Sequence, residues 1–365
     1  MAGEPPSEPS DTAEEQPPRW SRRDVLRRAG IAGAFAMGGG VLGHELIPHR
    51  HALATAEDRG PEHHVYGAAE PPSAVVGSSA GTQHGLYGHA TAPPTSLTQA
   101  ELDAVTFPPP PDGRRGVTRN YDLSVTARQL AVGDGVVVDA WTYDGTVPGP
   151  ILRATEGDRL RIRMANHTSH AHNVHLHGRH DPAMDGWEPI PPGGEFTYDV
   201  IAEPFGLHPY HCHTAPIAEH IGRGLFGAMI VDPPGGRPPA LEVVLVLGGW
   251  DLDGDGRNEL VTFNGVAGAY HRFPIRVPVG ALVRVYLLNL LEHDPIASFH
   301  LHAQTFDVFR SGTALEPDEH TDVVALTQGE RAIVEFTLPE AGRYMFHPHQ
   351  SSLADRGAMG WFAAV

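Results

Sequence analysis

The sequence predicts an all-β protein built from two tandem Greek-key β-sandwich domains, and three observations support this fold class. Glycine (42 residues) and proline (34 residues) are abundant in the 365-residue chain, while charged residues are 19% and aromatic residues 7%. This composition is typical of short strands joined by many turns. Several segments show the two-residue alternation of a half-buried strand, and the same series of segments occurs twice.

The repeat is visible in the spacing of matching residues. An alternating strand at 156–166 recurs at 279–289, so that Gly280 and Asn289 lie 123 positions after Gly157 and Asn166. In both copies a His-Leu-His follows, then Gly-Glu, and then a strand that ends in an aromatic residue and a second His-x-His. Two copies of one all-β unit of about 120 residues account for this pattern, and short strands at regular spacing favour a Greek-key sandwich.

The N-terminal part of the chain is not expected to belong to this fold. Residues 1–18 are acidic and proline-rich, which is typical of disorder. Arg22 and Arg23 precede a Gly/Ala-rich apolar stretch at 29–43 that is too short to span a bilayer comfortably. With the small residues at 51–56 these features resemble a cleavable twin-arginine export signal, the alternative being an uncleaved amphipathic anchor. We therefore expect a periplasmic or secreted protein without a stable membrane span in its mature form.

The chain thus divides into four predicted segments. They are a twin-arginine signal region at 1–56, a linker, disordered segment or extended arm at 57–115, a first domain at 116–235 and a second domain at 236–365. A formal net charge of −18 argues against a nucleic-acid partner, because no basic stripe offsets it. The single cysteine excludes an internal disulfide framework.

Histidine is the compositional outlier, with 24 residues. Eight of them form four His-x-His motifs at matching places in the two copies, namely His175/His177, His211/His213, His300/His302 and His347/His349. Both imidazoles of such a motif leave the same face of a strand, and neutral imidazole is a favoured ligand of copper and zinc. Eight histidines exceed the needs of one tetrahedral zinc ion. The motifs therefore favour a cluster of several metal ions.

The only cysteine, Cys212, lies between His211 and His213. Its thiolate is expected to point to the opposite face from both imidazoles. A thiolate with two imidazoles is the ligand set of a blue-copper electron-transfer centre, and His172 and His220 are the candidate imidazoles. The backbone at Cys212 would then connect this single copper to the cluster. The alternative is that Cys212 is a small buried apolar residue.

The second copy lacks this single-copper site altogether. Pro348 replaces the cysteine, Ala297 stands at about the position of His172, and Leu353 stands near that of His220. The four cluster histidines of the second copy remain. Loss of a complete ligand set beside a retained neighbour indicates function in the first copy.

From about residue 117 to the end, the chain resembles a two-domain multicopper oxidase, a small laccase-like enzyme related to copper nitrite reductase. The motifs "HNVHLHG", "HCH", "FHLHA" and "HPH" carry the resemblance. It implies two tandem cupredoxin-like domains, with the type 1 copper in the first. It also implies a homotrimer whose copper clusters lie between domain 1 of one subunit and domain 2 of the next.

The resemblance also implies a role for each ligand, with type 1, type 2 and binuclear type 3 copper making about four copper ions per chain-equivalent. His172, Cys212 and His220 would hold the type 1 copper, and His175 and His300 the type 2 copper. The type 3 pair would be held by His177, His211, His213, His302, His347 and His349. Leu225 occupies the position where an axial methionine often stands, which predicts a more oxidising type 1 centre.

The implied activity is the oxidation of phenolic, aromatic or low-valent metal donors at the type 1 copper, coupled to reduction of O₂ to water at the three-copper cluster. Cys212, His211 and His213 would carry the electrons. Asp185 is a candidate proton relay or hydrogen-bond acceptor beside the cluster, or else an ordinary turn residue before Gly186. The alternatives are a copper-containing nitrite reductase, a type that has aspartate where His175 stands, and a non-catalytic periplasmic copper-binding or copper-resistance protein. The physiological electron donor is not identified by the sequence.

One further motif is the acidic segment "DLDGDGRNE" at 251–259. Asp251, Asp253 and Asp255 match the first half of a calcium-binding loop, but the twelfth position is Thr262 rather than glutamate. A plain acidic hairpin turn is the preferred interpretation, with calcium as the alternative.

Overall fold

A computed structural model of the protein describes residues 95–96, 98–133 and 135–365. The predicted export signal, its predicted cleavage site and most of the segment 57–115 lie outside these residues. The described chain consists mainly of strands in four sheets, with four short α-helices. This confirms the predicted all-β fold class of two tandem domains.

Nine strands form the first sandwich. Its five-stranded sheet contains β1 (Thr95–Ser96), β2 (Thr118–Gly133), β3 (Val136–Tyr143), β5 (Arg159–Asn166) and β7 (Glu195–Ile201). Its four-stranded sheet contains β4 (Leu152–Thr155), β6 (His175–Leu176), β8 (Gly206–His211) and β9 (Phe226–Asp232). Strand β5 shows the expected alternation, because Leu160, Ile162 and Met164 are buried in the core while the intervening arginines are exposed.

Eleven strands form the second sandwich. Its six-stranded sheet contains β10 (Leu241–Trp250), β11 (Leu260–Phe263), β13 (Leu282–Asn289), β15 (Phe306–Arg310), β16 (Glu319–Thr321) and β18 (Arg331–Thr337). Its five-stranded sheet contains β12 (Ile275–Val277), β14 (Ile296–Leu301), β17 (Val323–Thr327), β19 (Gly342–His347) and β20 (Gly360–Ala364). Each sandwich encloses its own apolar core.

The helices are short and connect or cover the sheets. They are α1 (Gln99–Thr106), α2 (Ile217–Gly222), α3 (Ala269–Arg272) and α4 (Ser351–Asp355), with a 3₁₀ turn at Pro182–Met184. None of the helices in the described part of the chain has the length and apolar character needed to cross a membrane.

The segment 57–115 was expected to be a linker, a disordered segment or an extended arm, but within it Gln99–Thr106 forms helix α1. Thr98 and Glu101 form a reciprocal capping box at its N-terminus. Leu102 and Val105 are each 2% exposed and pack into the core of the second sandwich, and the Thr106 hydroxyl lies 2.6 Å from the Tyr270 hydroxyl. The helix is too short for a clear apolar period, but the Thr-x-x-Glu signature was available in the sequence.

A third apolar cluster joins the two sandwiches. Leu207 and Phe226 of the four-stranded sheet pack with Val244 and Tyr286 of the six-stranded sheet. Strand β8 therefore has both faces covered, one by the core of the first domain and one by the junction with the second. This double burial positions the candidate metal ligands that lie on β8 and directly after it.

Candidate metal centres

Three side chains converge on a buried site inside the first domain. The Sγ atom of Cys212 lies 3.2 Å from Nδ1 of His220 and 3.9 Å from Nδ1 of His172, and the two Nδ1 atoms are 3.1 Å apart. Cys212 and His172 are fully buried and His220 is 5% exposed. Such spacings suit one ion at ligand bonds of about 2.0–2.3 Å. The donor set of one thiolate and two imidazoles fits copper.

The local sequence and its folding explain how these three residues meet. Cys212 follows β8 directly, and its N–H donates to the Leu225 carbonyl at 3.0 Å, which joins it to the loop before β9. His220 lies on α2, only eight residues further along the chain. His172 is held by an antiparallel bridge to Ile190.

Burial also sets the protonation of this site. It lowers the pKa of His172 to about 3, with smaller contributions from His220 and His170, and it lowers the pKa of His220. Burial raises the pKa of the Cys212 thiol. Neutral imidazoles are ready to bind a metal, and binding would require the thiol to lose its proton.

Two residues that the sequence analysis missed organise this site. The Asn173 amide accepts a hydrogen bond from the His213 N–H at 2.7 Å, donates to the Gly186 carbonyl, and lies 3.5 Å from Sγ of Cys212. The Trp141 indole contacts the rings of His172 and His220, and its ring centroid lies 4.7 Å from that of His172 and 4.8 Å from that of His220. Asn173 stands next to His172 in the "HNVHLHG" motif, which was the one available signal.

Four histidines form a second group on the other face of β8. Strands β6 and β8 place His175 directly opposite His211, and the Nε2 atoms of His177 and His211 are 3.2 Å apart. Nδ1 of His175 donates to the Asp185 carbonyl at 3.0 Å, and Nδ1 of His211 donates to the Cys212 carbonyl at 3.0 Å. His213 joins the group through ring contacts with His175 and His211. Because their Nδ1 atoms are engaged, His175 and His211 have Nε2 free for a metal.

Burial favours the neutral form of two members of this first histidine quartet, His177 and His211. It lowers the pKa of His177 to about 3, with His211 and His175 adding to the effect, and it lowers the pKa of His211 to about 4. Neutral imidazoles packed this closely can serve together as ligands of metal ions.

The second domain repeats the quartet with the same geometry. His300 lies opposite His347 across β14 and β19, and the Nε2 atoms of His302 and His347 are 2.9 Å apart. Nδ1 of His300 donates to the Asp322 carbonyl at 2.8 Å, and Nδ1 of His347 donates to the Pro348 carbonyl at 2.7 Å. The His349 ring contacts the rings of His300 and His347.

The two quartets stay apart within one chain. Metal-binding side chains of the described residues fall into separate groups, and none of these groups combines histidines of both domains. No ring contact between described residues links the quartets either. Each domain therefore presents half of an eight-histidine arrangement.

The thiol site has no counterpart in the second domain. Ala297 and Leu353, at the positions that match His172 and His220, belong to the apolar core of the second sandwich. Pro348 stands in place of the cysteine and supplies only its carbonyl to His347. The space of a metal site is thus filled by apolar packing.

Asp185 lies beside the first quartet. Its Oδ1 is 3.3 Å from Nδ1 of His175 and 3.5 Å from Nε2 of His180, while its backbone carbonyl accepts from Nδ1 of His175. This places it as an acceptor that orients His175.

The acidic segment 251–259 folds as a turn. The carboxylates of Asp251, Asp253, Asp255 and Glu259 approach one another. Those of Asp251, Asp253 and Glu259 accept backbone N–H groups of the segment itself. These side chains cap their own turn, and calcium binding at this group stays the untested alternative.

Comparison with known proteins identifies the family. Two multicopper oxidase family models match the chain, one at residues 124–236 and the other at 238–365. The copper-containing nitrite reductase of Neisseria meningitidis (serogroup A, serotype 4A) is 30% identical over 290 residues, which cover 71% of this chain and 74% of that protein. The chain belongs to the multicopper oxidase family. Its tandem cupredoxin-like domains agree with this assignment.

Solved structures and plant enzymes extend the comparison. A crystal structure of a multicopper oxidase superposes with a TM-score of 0.67 at 42% identity, covering 68% of this chain and 89% of that one. Laccase-8 of Oryza sativa subsp. japonica is 26% identical over 246 residues, which cover 57% of this chain and 43% of that protein. Membership of the family implies copper binding and copper-dependent oxidoreductase chemistry.

Proposed function

We propose that this protein is a laccase-like oxidase that takes electrons from a phenolic, aromatic or low-valent metal donor and reduces O₂ to water. The observation that carries the proposal is the pair of sites on β8. A thiol with two imidazoles lies on one side of the strand, a histidine quartet lies on the other, and a second quartet with the same geometry stands in the second domain.

Copper bound at these sites would accept single electrons from the donor at the thiol site and deliver them to O₂ at the histidines. The chain supplies the path between them, because Cys212 is covalently continuous with His211 and His213. Asn173 stabilises this path, because its side chain contacts both Sγ of Cys212 and the backbone N–H of His213. The engaged Nδ1 atoms fix the ring orientation of His175 and His211.

The separation of the quartets supports an assembly in which two subunits share one cluster. Type 2 copper would be held by His175 and His300, and the type 3 pair by the other six histidines, taken from domain 1 of one subunit and domain 2 of the next. Head-to-tail contacts of this kind can close into a ring, and the resemblance to two-domain oxidases implies a ring of three subunits, a homotrimer. Export through a twin-arginine signal to the periplasm or beyond is part of the same proposal.

Copper analysis and oxygen uptake test the proposal together. The copper-loaded protein is expected to contain about four copper ions per chain, to show an intense blue thiolate-to-copper absorption, and to consume O₂ with phenols, Cu(I) or Fe(II). Cys212→Ser should abolish the blue absorption and the uptake while retaining copper at the histidines. A blue absorption that persists in Cys212→Ser would contradict it.

A copper-containing nitrite reductase is the second candidate, favoured by the relative from Neisseria meningitidis. Histidine at position 175 and complete quartets in both domains favour the oxidase. About two copper ions per chain with nitrite turnover would favour the reductase. Bound copper with negligible O₂ uptake would instead indicate a copper-binding or copper-resistance protein.

A further inference from the structure

A cavity of about 450 Å³ opens against the first histidine quartet. Its remaining wall is formed by α2 and by two loops of the second domain of the same chain. These wall residues are Ile217, Ala218, Ile221, Leu290, Glu292, Gln328 and Gly329. Glu292 is the one carboxyl group among them, so the second domain contributes a single acid to this wall.

Glu292 is buried and held in place from its backbone. Glu292 as a whole residue is only 8% exposed. Its carbonyl accepts from Nδ2 of Asn258, which also donates to Asp294 at 2.8 Å, and Asp294 is paired with Arg356. Nothing in the described residues pairs the Glu292 carboxyl with a cation, and the exposed Gln328 side chain is close enough to lower its pKa. Glu292 and the solvent-exposed Gln328 thus line the same cavity.

Several other polar atoms of the wall already have partners. Nδ1 of His175 and of His211 donates to a backbone carbonyl, and the Nε2 atoms of His177 and His211 face each other. Asp185 orients His175 but is not part of this cavity wall. Glu292 is the one carboxyl group among the wall residues, which makes it the candidate acid of the cavity.

We propose that Glu292 is the proton-transfer residue of this cavity, an inference that rests on the proposed oxidase function. Reduction of one O₂ to two water molecules takes up four electrons, which the donor supplies, and four protons, which solvent supplies. In each transfer the O–H bond of the Glu292 carboxylic acid breaks and an O–H bond forms on the reduced oxygen. The carboxylate then takes a new proton from water on the Gln328 side.

The surroundings of Glu292 suit this role. Burial raises the pKa of the carboxyl, while Gln328 and His293 oppose the rise. The other charged or titratable groups around it are the Asp294–Arg356 pair, linked through Asn258, and the four histidines of the quartet. A carboxyl whose pKa moves toward neutral pH is better matched to proton transfer.

Glu292→Gln tests the inference, with the exposed Glu316→Gln as the matched control. In the copper-free protein, difference infrared spectroscopy across a pH titration is expected to show a protonated carboxyl band that is lost in Glu292→Gln and kept in Glu316→Gln. In the copper-loaded protein, Glu292→Gln should lower kcat for O₂ uptake about 10²-fold. Its copper content, blue absorption and anaerobic reduction by the donor should stay unchanged. Glu292→Asp should recover part of kcat with a shifted pH profile.

The outcomes separate this inference from the proposed function. Absence of O₂ uptake in the wild-type holoenzyme would overturn the oxidase proposal and, with it, the proton-transfer role. Normal uptake in the wild type together with an unchanged kcat in Glu292→Gln would overturn the inference alone. Loss of copper in Glu292→Gln would also overturn it, since Glu292 would then be a ligand or a structural support.

Discussion

Leu225 packs against the thiol site and predicts its redox behaviour. Its side chain is fully buried in the same apolar cluster as Cys212, and its carbonyl accepts the Cys212 N–H. Leucine cannot ligate a metal, so a copper held by Cys212, His172 and His220 would lack a methionine ligand, and Cu(I) would be favoured. We expect Leu225→Met to lower the reduction potential of the blue centre in a redox titration. An unchanged or higher potential in that variant would refute this prediction.

Because of the buried His208, we expect the free energy of unfolding of the copper-free protein to fall in acid. His208 is 1% exposed, its Nε2 donates to the Pro204 carbonyl at 2.8 Å, and its Nδ1 is buried without a partner. Burial lowers the pKa of His208 from 6.5 to about 4. Because the folded protein disfavours the charged form, its contribution to stability is present above pH 6.5 and is lost as pH falls toward 4, by roughly 3 kcal/mol.

Denaturant titrations at pH 7 and pH 4 measure this effect. The free energy of unfolding of His208→Gln should fall less between the two pH values than that of the wild type. An exposed control, His167→Gln, should leave the wild-type difference intact. An equal fall in all three proteins would show that other groups cause the acid sensitivity.

Helix α1 stabilises the second domain from a distance in sequence. Leu102 and Val105 fill its core, although the first domain separates them from it along the chain. We expect Leu102→Ala to lower the free energy of unfolding by about 2–5 kcal/mol, through lost apolar burial and a cavity. The exposed Gln99→Ala should change it by less than about 0.5 kcal/mol. A small effect of Leu102→Ala in chemical denaturation would mean that α1 is dispensable.

At the scale of the whole molecule, the division of eight histidines between two domains predicts complementation between subunits. His177→Ala damages the first quartet and His302→Ala damages the second. If subunits share clusters, co-expression of these two inactive variants should restore part of the O₂ uptake, because an intact first quartet meets an intact second one. Co-expression of His177→Ala with Cys212→Ser is the control, since neither first domain then has both a thiol site and a quartet.

The control pair should show no recovery. Absence of recovery in the His177→Ala and His302→Ala pair, despite co-purification of two differently tagged chains, would place each cluster within one chain. Failure of the tagged chains to co-purify would refute the proposed trimer.

Much of this molecule is encoded in local sequence pattern. The two-residue period of a strand already separates Cys212 from His211 and His213, and the repeat already indicates two sandwiches with a thiol site in the first only. These features depend on residues that are close in sequence, and alternation of side chains along a strand is a local property of the backbone.

Contacts between distant segments determine the rest. Asn173 reaches Cys212 and Gly186 only because the loop before β6 folds over the end of β8. Glu292 faces the first quartet only because the second sandwich packs on the first, and α1 finds its core far along the chain. Nothing in the local period of these residues specifies such neighbours, because apolar burial and hydrogen bonding act between whichever surfaces the folded chain brings together.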